Sequence, residues 1–331
     1  MEQQGYDVVV VGGGAAGLSA GLTLARARRS VLVVDGGRPR NAPAAGVHGF
    51  LTRDGMPPAE LAALGTAEVR GYGGEVVEGQ VDRLEHDPAA EGTGRPGFVV
   101  TTADGARVTA RRLVVATGLV DGLPDVAGVA QRWGRDVLHC PYCHGYEVRD
   151  QALGIVAGGP LAVHQALLFR QWSEDVVLFL HTAALPTEEE SEQLAARGVR
   201  VVEGRVASLV VADDRVTGVR LASGEVVARD AVVVGPRMTA RADLLAGLGL
   251  VPEDLVMRDV VVGSVVPADP TGATAVPGVY LAGNVSDMRA QVVHAAAAGV
   301  MVGATVNADL VQEDTATAVA AARAARSPVG V

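Results

Sequence analysis

The sequence has little cysteine, more acid than base, and no long apolar run. Two of the 331 residues are cysteines, and the formal net charge at pH 7 is −10. This acidity argues against nucleic acid or an anionic membrane as a partner. No uninterrupted apolar run reaches the roughly 18 residues that a membrane-spanning helix needs. No basic segment precedes the first apolar run, so the sequence predicts a cytoplasmic protein that is not bound to a membrane.

The composition favours a two-domain α/β protein. The length allows two domains, each with its own core. Hydrophobic residues make up 49% of the chain and 42 residues are glycine, many of them beside Val-rich runs. Parallel strands that are buried on both faces have this composition.

Both cysteines lie in one short segment, from Cys140 to Gly145, which reads CPYCHG. A Cys-x-x-Cys pair can open and close a disulfide, and a helix N-terminus lowers the pKa of a thiol placed on it. His144 follows the second cysteine and can exchange a proton near neutral pH. In a reducing cytosol, a lone pair of this kind is typical of catalysis. We therefore predict that Cys140, Cys143 and His144 form a redox-active catalytic group.

Three other interpretations of this segment stay open. A zinc half-site with His139 and His144 as further ligands would need a second ligand pair elsewhere, and the sequence has no other cysteine. The pattern Cys140-x-x-Cys143-His144 also fits c-type haem attachment, which requires export. The third interpretation is a pair of inert buried thiols.

The N-terminal 35 residues carry a dinucleotide-binding fingerprint. A Val-rich strand pattern over residues 8–11 is followed by GGGAAG and a helical pattern, and a second Val-rich strand pattern ends at an acid. The first glycine makes a tight turn, the second admits a pyrophosphate, and the N–H groups that open the helix bind it. The acid binds an adenosine ribose. The predicted ligand-binding residues are Gly12, Gly14, Ala15, Ala16 and Asp35.

The fingerprint alone does not distinguish FAD from NAD, but the following segments favour FAD. Arg38 and Arg40 lie in the loop after the acid and could meet phosphate charge, with a solvated loop as the alternative. His48 lies in a turn that could approach a ring system, with an ordinary loop histidine as the alternative. Short strand patterns between residues 75 and 115 then lead to an Ala-Thr-Gly segment at 116–118.

The order of these motifs resembles that of the low-molecular-weight thioredoxin reductases, which are two-domain FAD flavoproteins. The shared order is G-x-G-x-x-G, an acid, a strand meander, Ala-Thr-Gly, Cys-x-x-Cys, a second dinucleotide-like unit and a late Ala-Gly-Asn segment. The resemblance implies an α/β fold with two Rossmann-like domains. The FAD-binding domain would be discontinuous, with residues 1–120 and 248–331, and a Cys-x-x-Cys domain that is a degenerate NAD(P)-binding unit would occupy residues 121–247. The resemblance also implies a homodimer.

The resemblance further implies which residues lie along FAD. In the N-terminal half they are Gly12, Gly14, Ala15, Ala16, Asp35, Gly36, Arg38, Arg40 and Asn41, with the Val81 backbone at the adenine and Ala116, Thr117 and Gly118 along the cofactor. In the C-terminal half, the family has an Asp where this chain has Asn284, after Gly283, and an Asn can still bond a ribityl hydroxyl. The N–H groups of Ala290, Gln291 and Val292 would stabilise the anionic reduced flavin.

A second strand–turn–helix pattern begins near Leu153, but its turn departs from the family pattern. In the family this loop reads G-x-G-x-x-A, and a basic cluster after the next strand binds the 2′-phosphate of NADPH. Here Ala157 takes the first glycine position, Pro160 lies where the helix should begin, and acids at 188–190 stand in place of the basic cluster. Acids beside a phosphate would repel it. The sequence therefore predicts a nucleotide-binding fold that has lost its ligand, with a divergent NADH site as the alternative.

A flavoprotein without nicotinamide needs another electron partner, and O2 is the simplest because reduced flavin reacts with it directly. The segment CPYCHGYE, residues 140–147, resembles the dithiol oxidases that close the disulfides of gliotoxin-, romidepsin- and holomycin-type compounds. Thioredoxin reductases carry an acid where this chain has His144, and an imidazole there can draw protons from substrate thiols. The resemblance implies that Cys140 is the outer, substrate-attacking sulfur and that Cys143 faces the flavin.

These observations predict an FAD-dependent oxidase of a small-molecule dithiol, with O2 as acceptor and H2O2 as product. A dithiolopyrrolone such as reduced holomycin is the predicted substrate. The alternatives are an NAD(P)H- or ferredoxin-linked disulfide reductase and, outside enzymes, a flavin-bound redox sensor whose cysteine pair alters a partner contact.

Overall fold

The computed structural model of the chain describes residues 5–326. The outermost residues of the two predicted FAD-binding segments, 1–4 and 327–331, lie outside this range. The first part of the chain forms β1 (Gly5–Val11), α1 (Ala15–Arg26), β2 (Val31–Asp35), α2 (Pro58–Gly71), β3 (Glu75–Glu78), β4 (Val81–His86), β5 (Phe98–Thr102), β6 (Arg107–Val115), β7 (Leu119–Gly122), α3 (Val129–Arg132) and β8 (Val137–Leu138). The second part forms α4 (Pro141–His144), β9 (Leu153–Val156), α5 (Ala162–Phe169), β10 (Val176–Phe179), α6 (Glu188–Ala196), β11 (Arg200–Val202), β12 (Val206–Ala212), β13 (Arg215–Leu221), β14 (Val226–Ala228), β15 (Ala231–Val234), β16 (Arg237–Ala240), β17 (Glu253–Met257), β18 (Val260–Val265), β19 (Val279–Leu281) and α7 (Val292–Arg326).

The strand β1 lies inside a sheet with the order β3-β2-β1-β6-β5-β4, in which β19 also pairs with β6. β1 is parallel to both of its neighbours, and β19 is parallel to β6. The valines of β1 are buried on both faces, because α1 and α7 cover one face and the segment around Leu245 covers the other. The N-terminal and C-terminal parts of the chain therefore share one core.

A second parallel sheet has the order β11-β10-β9-β15-β8. The strand β9 takes the place that β1 has in the first sheet, and its residues are equally buried. The predicted α/β fold with two Rossmann-like units is confirmed. A four-stranded sheet, β17-β18-β16-β7, draws strands from both predicted domains. The domain boundaries at residues 120 and 248 therefore stay predictions.

Two elements after residue 225 differ from the sequence-based expectation. The sequence predicts a single strand over Val226–Val234, but this segment is split into β14 and β15, which belong to different sheets. Between them, the buried Arg229 side chain donates to Asp175 at 2.6 Å. The sequence also predicts that Arg237–Gly249 is helical at least in part, but this segment begins with the strand β16, which pairs with β7 and β18. Only a 3-10 turn at Asp243–Leu248 is helical. Strand pairing across the chain outweighs a weak local helical preference here.

The helix α7 runs along α1 and covers the same face of the first sheet. The sequence predicts a helix of small residues that opens at Arg289 and runs through Val311, and an Ala-rich helix or frayed tail over Thr315–Arg326. In the structure, one helix covers both segments. Among residues 5–326 it is the one helix that is long and apolar enough to cross a membrane, by length and composition only. However, Gly299 lies so close to the carbonyl oxygen of Ala16 that no Cβ would fit, and Val302, Val306 and Leu310 are buried in the core beside β1. The apolar composition is therefore that of a helix packed closely against α1.

Candidate active site

A cavity of about 1270 Å³ extends from the carboxyl end of β1 to the cysteine pair. All the predicted catalytic and FAD-binding residues line its wall. They are Gly12, Gly14, Ala15, Ala16, Asp35, Gly36, Arg38, Arg40, Asn41, His48, Val81, Ala116, Thr117, Gly118, Cys140, Cys143, His144, Gly283, Asn284, Ala290, Gln291 and Val292. The structure thus brings the predicted residues together, and their individual roles stay predictions.

The turn after β1 fits the pyrophosphate of a dinucleotide. Gly12 has φ +105°, and a Cβ there would lie 2.5 Å from the carbonyl oxygen of Ala116, so this tight turn requires glycine. Gly14 caps α1 without a side chain, and a Cβ on Gly14 would meet nothing within 4 Å. The first turn of α1 carries no acid. Its N–H groups, which have no partner within the helix, therefore face open space suited to an anion.

Asp35, at the end of β2, is placed to bind a ribose. One carboxylate oxygen accepts a hydrogen bond from the Gly13 N–H at 3.1 Å, which fixes the side chain beside the turn. The carboxylate lines the cavity and keeps acceptor capacity for hydroxyl groups. Together with the open turn at Gly14, it fits the adenosine end of FAD.

Arg40 is less free than the sequence suggested. Its guanidinium donates to both carboxylate oxygens of Asp121, at 2.8 and 2.6 Å, and Asp121 is nearly buried. This bidentate pair connects the loop after β2 to β7, and it neutralises the charge expected to meet phosphate. Arg38, in the same loop, donates to Gln80 at 3.2 Å.

Asn284 holds the turn that precedes α7. Its side-chain nitrogen donates to the carbonyl oxygens of Asp287 and Ala290, both at 2.9 Å. Only its side-chain oxygen is left to accept a bond from a ribityl hydroxyl. The turn delays the start of α7 to Val292, three residues after the predicted start at Arg289.

The cysteine pair closes the far end of the cavity. Cys140 and Cys143 form a disulfide, with Cα atoms 5.3 Å apart. Cys140 caps α4, and its carbonyl oxygen accepts bonds from the N–H groups of Cys143 and His144. α4 is a single turn, so the dipole effect predicted for the thiol is only a small part of a full helix dipole. The side-chain nitrogen of Gln291, one of the predicted flavin-contacting residues, lies 4.0 Å from the Cys140 Sγ.

His144 has an unusual environment. Both ring nitrogens are buried, and neither has a hydrogen-bond partner among residues 5–326. Burial lowers the pKa of His144 below its usual value, although the Glu147 carboxylate partly opposes this effect. His144, the residue after Cys143, is therefore neutral at neutral pH, and one of its ring nitrogens is free to accept a proton. This combination suits a general base.

His139 enters the sequence-based interpretation only as a zinc ligand. Its ring stacks on Trp133 with centroids 5.6 Å apart, and burial and the charge of Arg40 lower the pKa of His139 to about 4. Within the described chain, no three His, Cys, Asp or Glu side chains are grouped to hold a metal ion. The zinc interpretation is therefore not supported. No sequence pattern predicts the ring stack, because Trp133 and His139 belong to no common motif.

The second glycine-rich turn differs from the first in its geometry. α5 begins only at Ala162, after Pro160, and its cap residue is Leu161. His181, after β10, has φ +49°, and its Nδ1 accepts a bond from the Val206 N–H at 3.0 Å. Burial and, to a smaller extent, the charge of Arg205 lower the pKa of His181. Arg205 is thus a base near this turn that the sequence analysis missed, since it comes 24 residues after His181.

Comparison with known proteins places this geometry among disulfide-active enzymes. Residues 6–299 match the family model described as pyridine nucleotide-disulphide oxidoreductase. The chain is 31% identical to thioredoxin reductase sirT of Leptosphaeria maculans, over 94% of this chain and 96% of the relative. It is also 31% identical to thioredoxin reductase tcpT of Claviceps purpurea, over 93% and 95%. The crystal structure of HlmI is similar with a TM-score of 0.89 and 50% identity, covering 98% of both chains.

Proposed function

The chain belongs to the pyridine nucleotide-disulphide oxidoreductase family, and from this premise we propose that it is an FAD-dependent dithiol oxidase. The family consists of flavoproteins, and its thioredoxin reductase-like members act on sulfur groups. The proposal adds FAD as the flavin, a small-molecule dithiol as the substrate, O2 as the acceptor and H2O2 as the product. It also places the enzyme in the cytoplasm as a homodimer.

The observation that carries the proposal is His144. A thioredoxin reductase-like site needs a group that receives a proton at the cysteine pair. Here His144 lines the cavity, and its two buried ring nitrogens have no hydrogen-bond partner among residues 5–326. A base in this position serves a reaction that starts from two substrate thiols. The same two thiols would supply both electrons, so that no nicotinamide is required.

The chemistry at the cysteines follows from disulfide exchange. His144 takes the proton of the first substrate thiol, and the thiolate attacks the Cys140 Sγ. The Cys140–Cys143 bond breaks, and Cys143 leaves as a thiolate. The second substrate thiol gives its proton to the Cys143 thiolate, attacks the substrate sulfur of the mixed disulfide and releases Cys140 as a thiolate. The proton held by His144 then passes to the Cys140 thiolate. The substrate has then lost two electrons and two protons, and the cysteine pair is reduced.

Residues of the cavity wall would hold FAD with its pyrophosphate at Gly14 and its ribose at Asp35. The chemistry that FAD supplies when bound is the two-electron oxidation of the Cys140–Cys143 dithiol, with O2 reduced to H2O2. For the substrate we propose a dithiolopyrrolone such as reduced holomycin. The CPYCHGYE segment and the 50% identity to HlmI support this choice.

The second candidate is an NAD(P)H-linked disulfide reductase. One structural observation favours it. Arg205 places a positive charge close to His181, after β10, where the family binds the 2′-phosphate of NADPH. A ferredoxin-linked reductase would also operate without a nicotinamide site. A flavin-bound redox sensor, by contrast, predicts no multiple turnover with any small dithiol.

The test is the flavin absorbance of the purified holoprotein under anaerobic conditions, with NADPH, NADH or dithiothreitol added separately. We expect bleaching by the dithiol alone, and recovery of the colour with H2O2 formation in air. Cys140→Ser and Cys143→Ser should each keep the flavin and lose the oxidation. Rapid bleaching by NADPH would identify a reductase, and full activity of either serine variant would remove the disulfide from the reaction.

A further inference from the structure

A second, smaller pocket lies beside the cysteine pair. It has a volume of about 240 Å³, and its wall includes Pro141 and Tyr142, which stand between the two cysteines. Tyr142 also lines the large cavity together with Cys140 and Cys143. The two spaces thus share Tyr142 and His48, and the small pocket adjoins the cavity that contains the disulfide.

Aromatic side chains are concentrated at this pocket, although they are scarce in the chain. The sequence contains two tryptophans and five tyrosines, and the pocket is bordered by Trp172, Tyr142 and Tyr146. Tyr142 and Tyr146 are each 64% exposed, which is high for large rings without a partner molecule. Exposed aromatic rings of this kind supply flat contact surface at a binding site.

The rings are held in place by the surrounding fold. Tyr142 meets Trp172 edge to face with centroids 5.8 Å apart, and Phe169 contacts the same indole. A Cβ on Gly145 would lie 3.0 Å from the Trp172 ring, so glycine at 145 lets the indole approach α4 closely. The Arg149 guanidinium lies 4.0 Å from the centre of the Tyr146 ring. The pocket is therefore ordered before a ligand arrives.

The charge at the rim is acidic. His48 lies between two carboxylates, 3.3 Å from Asp54 and 3.4 Å from Glu147, and all three residues border the pocket. No arginine is among the residues that line it. A ligand with a carboxylate would meet repulsion here, whereas a neutral ring would not.

We propose that this aromatic pocket, formed by Tyr142, Tyr146 and Trp172, is the substrate-recognition site and selects a neutral dithiol built on a flat conjugated ring. The inference rests on the proposed function. A volume of 240 Å³ is slightly below the range of about 300–1,000 Å³ that encloses a drug-sized ligand. The pocket admits a single small ring. Its size excludes a folded protein, and its acidic rim disfavours a peptide with acidic groups.

The test compares three dithiols by oxygen consumption: 1,2-benzenedimethanethiol, dithiothreitol and dihydrolipoate. We expect the neutral aromatic dithiol to have the highest kcat/KM and the anionic dihydrolipoate the lowest. Tyr146→Ala should raise the KM for the aromatic dithiol by about 3- to 10-fold, the value of one aromatic contact, and should change the KM for dithiothreitol less than about 2-fold. Tyr142→Leu should lower the same selectivity.

Tyr72→Ala is the matched control. Tyr72 is 53% exposed, it lies under the Arg26 guanidinium at 4.7 Å, and it lines neither space. It should leave both KM values unchanged. Equal selectivity in wild type, Tyr146→Ala and Tyr142→Leu would overturn the recognition site while leaving the oxidase intact.

A binding measurement separates the recognition site from catalysis. Saturation-transfer NMR with the thiol-free 1,2-benzenedimethanol should show binding to wild type and Tyr72→Ala, and weaker binding to Tyr146→Ala. If wild type oxidises no dithiol, the proposed function fails. Binding of the diol still tests whether the aromatic pocket recognises a neutral ring. Equal binding of the diol to all three proteins would overturn the inference.

Discussion

The two Rossmann-like units have the same layout but differ at the turn where a nucleotide would bind. β1 and β9 hold equivalent central positions, and both are buried. After β1, the turn is open at Gly14 and leads into the N–H groups of α1. After β9, Pro160 and Leu161 delay the helix, and acids follow the next strand.

This difference shows which features each unit has kept. Core packing requires the strand order and the buried valines, and both units retain them. A phosphate site requires free N–H groups and a neutral or basic surrounding. The first turn of α1 carries no acid, whereas Glu188, Glu189 and Glu190 lie in the first turn of α6 in the second unit. The loss of the nucleotide site in the second unit stays a prediction.

The largest effect should come from filling the first turn. Gly14 has φ −75° and an open Cβ direction, so Gly14→Val should fold normally but block the approach of the pyrophosphate. The expected result is loss of nearly all bound flavin and of all oxidase activity, with an unchanged melting temperature of the flavin-free protein. Flavin absorbance per protein and a thermal melt provide the measurement.

Gly159→Val is the matched change in the second unit, since a Cβ there also meets nothing within 4 Å. It should retain flavin and activity. A loss of flavin in this variant, or normal flavin in Gly14→Val, would contradict the division between the two units.

Removing the His144 imidazole should have the next largest effect. Loss of a general base costs about 100-fold or more in rate, so His144→Ala should lower kcat/KM for dithiols by about that factor. Exposed His294 of α7, which does not line the cavity, provides the control His294→Ala. A drop of less than about 3-fold in His144→Ala would assign the proton to another group.

The pH profile sharpens this prediction. Burial lowers the pKa of His144, so the neutral, active form is reached below the usual histidine pKa of about 6.5. Wild-type kcat/KM should therefore rise with pH only below that value and level off before neutrality, apart from any limb of the substrate thiols at higher pH. The low-pH limb should be absent in His144→Ala. A limb centred above pH 7 that is present in wild type and lost in His144→Ala would contradict a depressed pKa.

A smaller effect should come from substitutions at the carboxyl ends of β2 and β10, the second strand of each Rossmann-like unit. Asp35→Ala removes a charged acceptor, which contributes about 1.5–3 kcal/mol, or roughly 10- to 100-fold in FAD affinity. His181→Ala, one residue beyond the equivalent place in the second unit, should cost stability through the lost bond to Val206 but leave FAD affinity unchanged. Reconstitution of the apoprotein with FAD measures both. Equal losses of affinity would mean that both strand ends serve the flavin.

The parts of the site that sequence reasoning could predict are those fixed by short-range geometry. A strand, a glycine turn and a helix bring Gly12, Gly14 and Asp35 together without help from the rest of the chain, because parallel strands end at one edge. Pairings between distant residues could not be predicted. The Arg40–Asp121 pair joins residues 81 apart, and it changed the expected role of the arginine.

The aromatic pocket was missed for the same reason. Trp172, which follows α5, meets Tyr142 of α4 only in the folded chain, and no periodicity connects them. The segment Arg237–Gly249, predicted to be helical at least in part, begins as a strand because its pairing partner, β7, lies more than a hundred residues earlier. Local propensity contains no information about a partner at that distance.

The smallest effect should come from Arg205, whose charge acts on His181 after β10 of the second unit. If this unit no longer binds a nicotinamide nucleotide, Arg205→Ala should leave dithiol oxidation within about 2-fold of wild type, because an exposed charge away from the cysteine pair contributes little. NADPH should fail to bleach the flavin in both proteins. In a reductase, the same variant would raise the KM for NADPH more than that for NADH, since only NADPH carries the 2′-phosphate. Anaerobic flavin absorbance with each nucleotide distinguishes the two outcomes. If Arg205→Ala changes the flavin bleaching by NADPH but not by NADH, the second unit still binds a nicotinamide nucleotide.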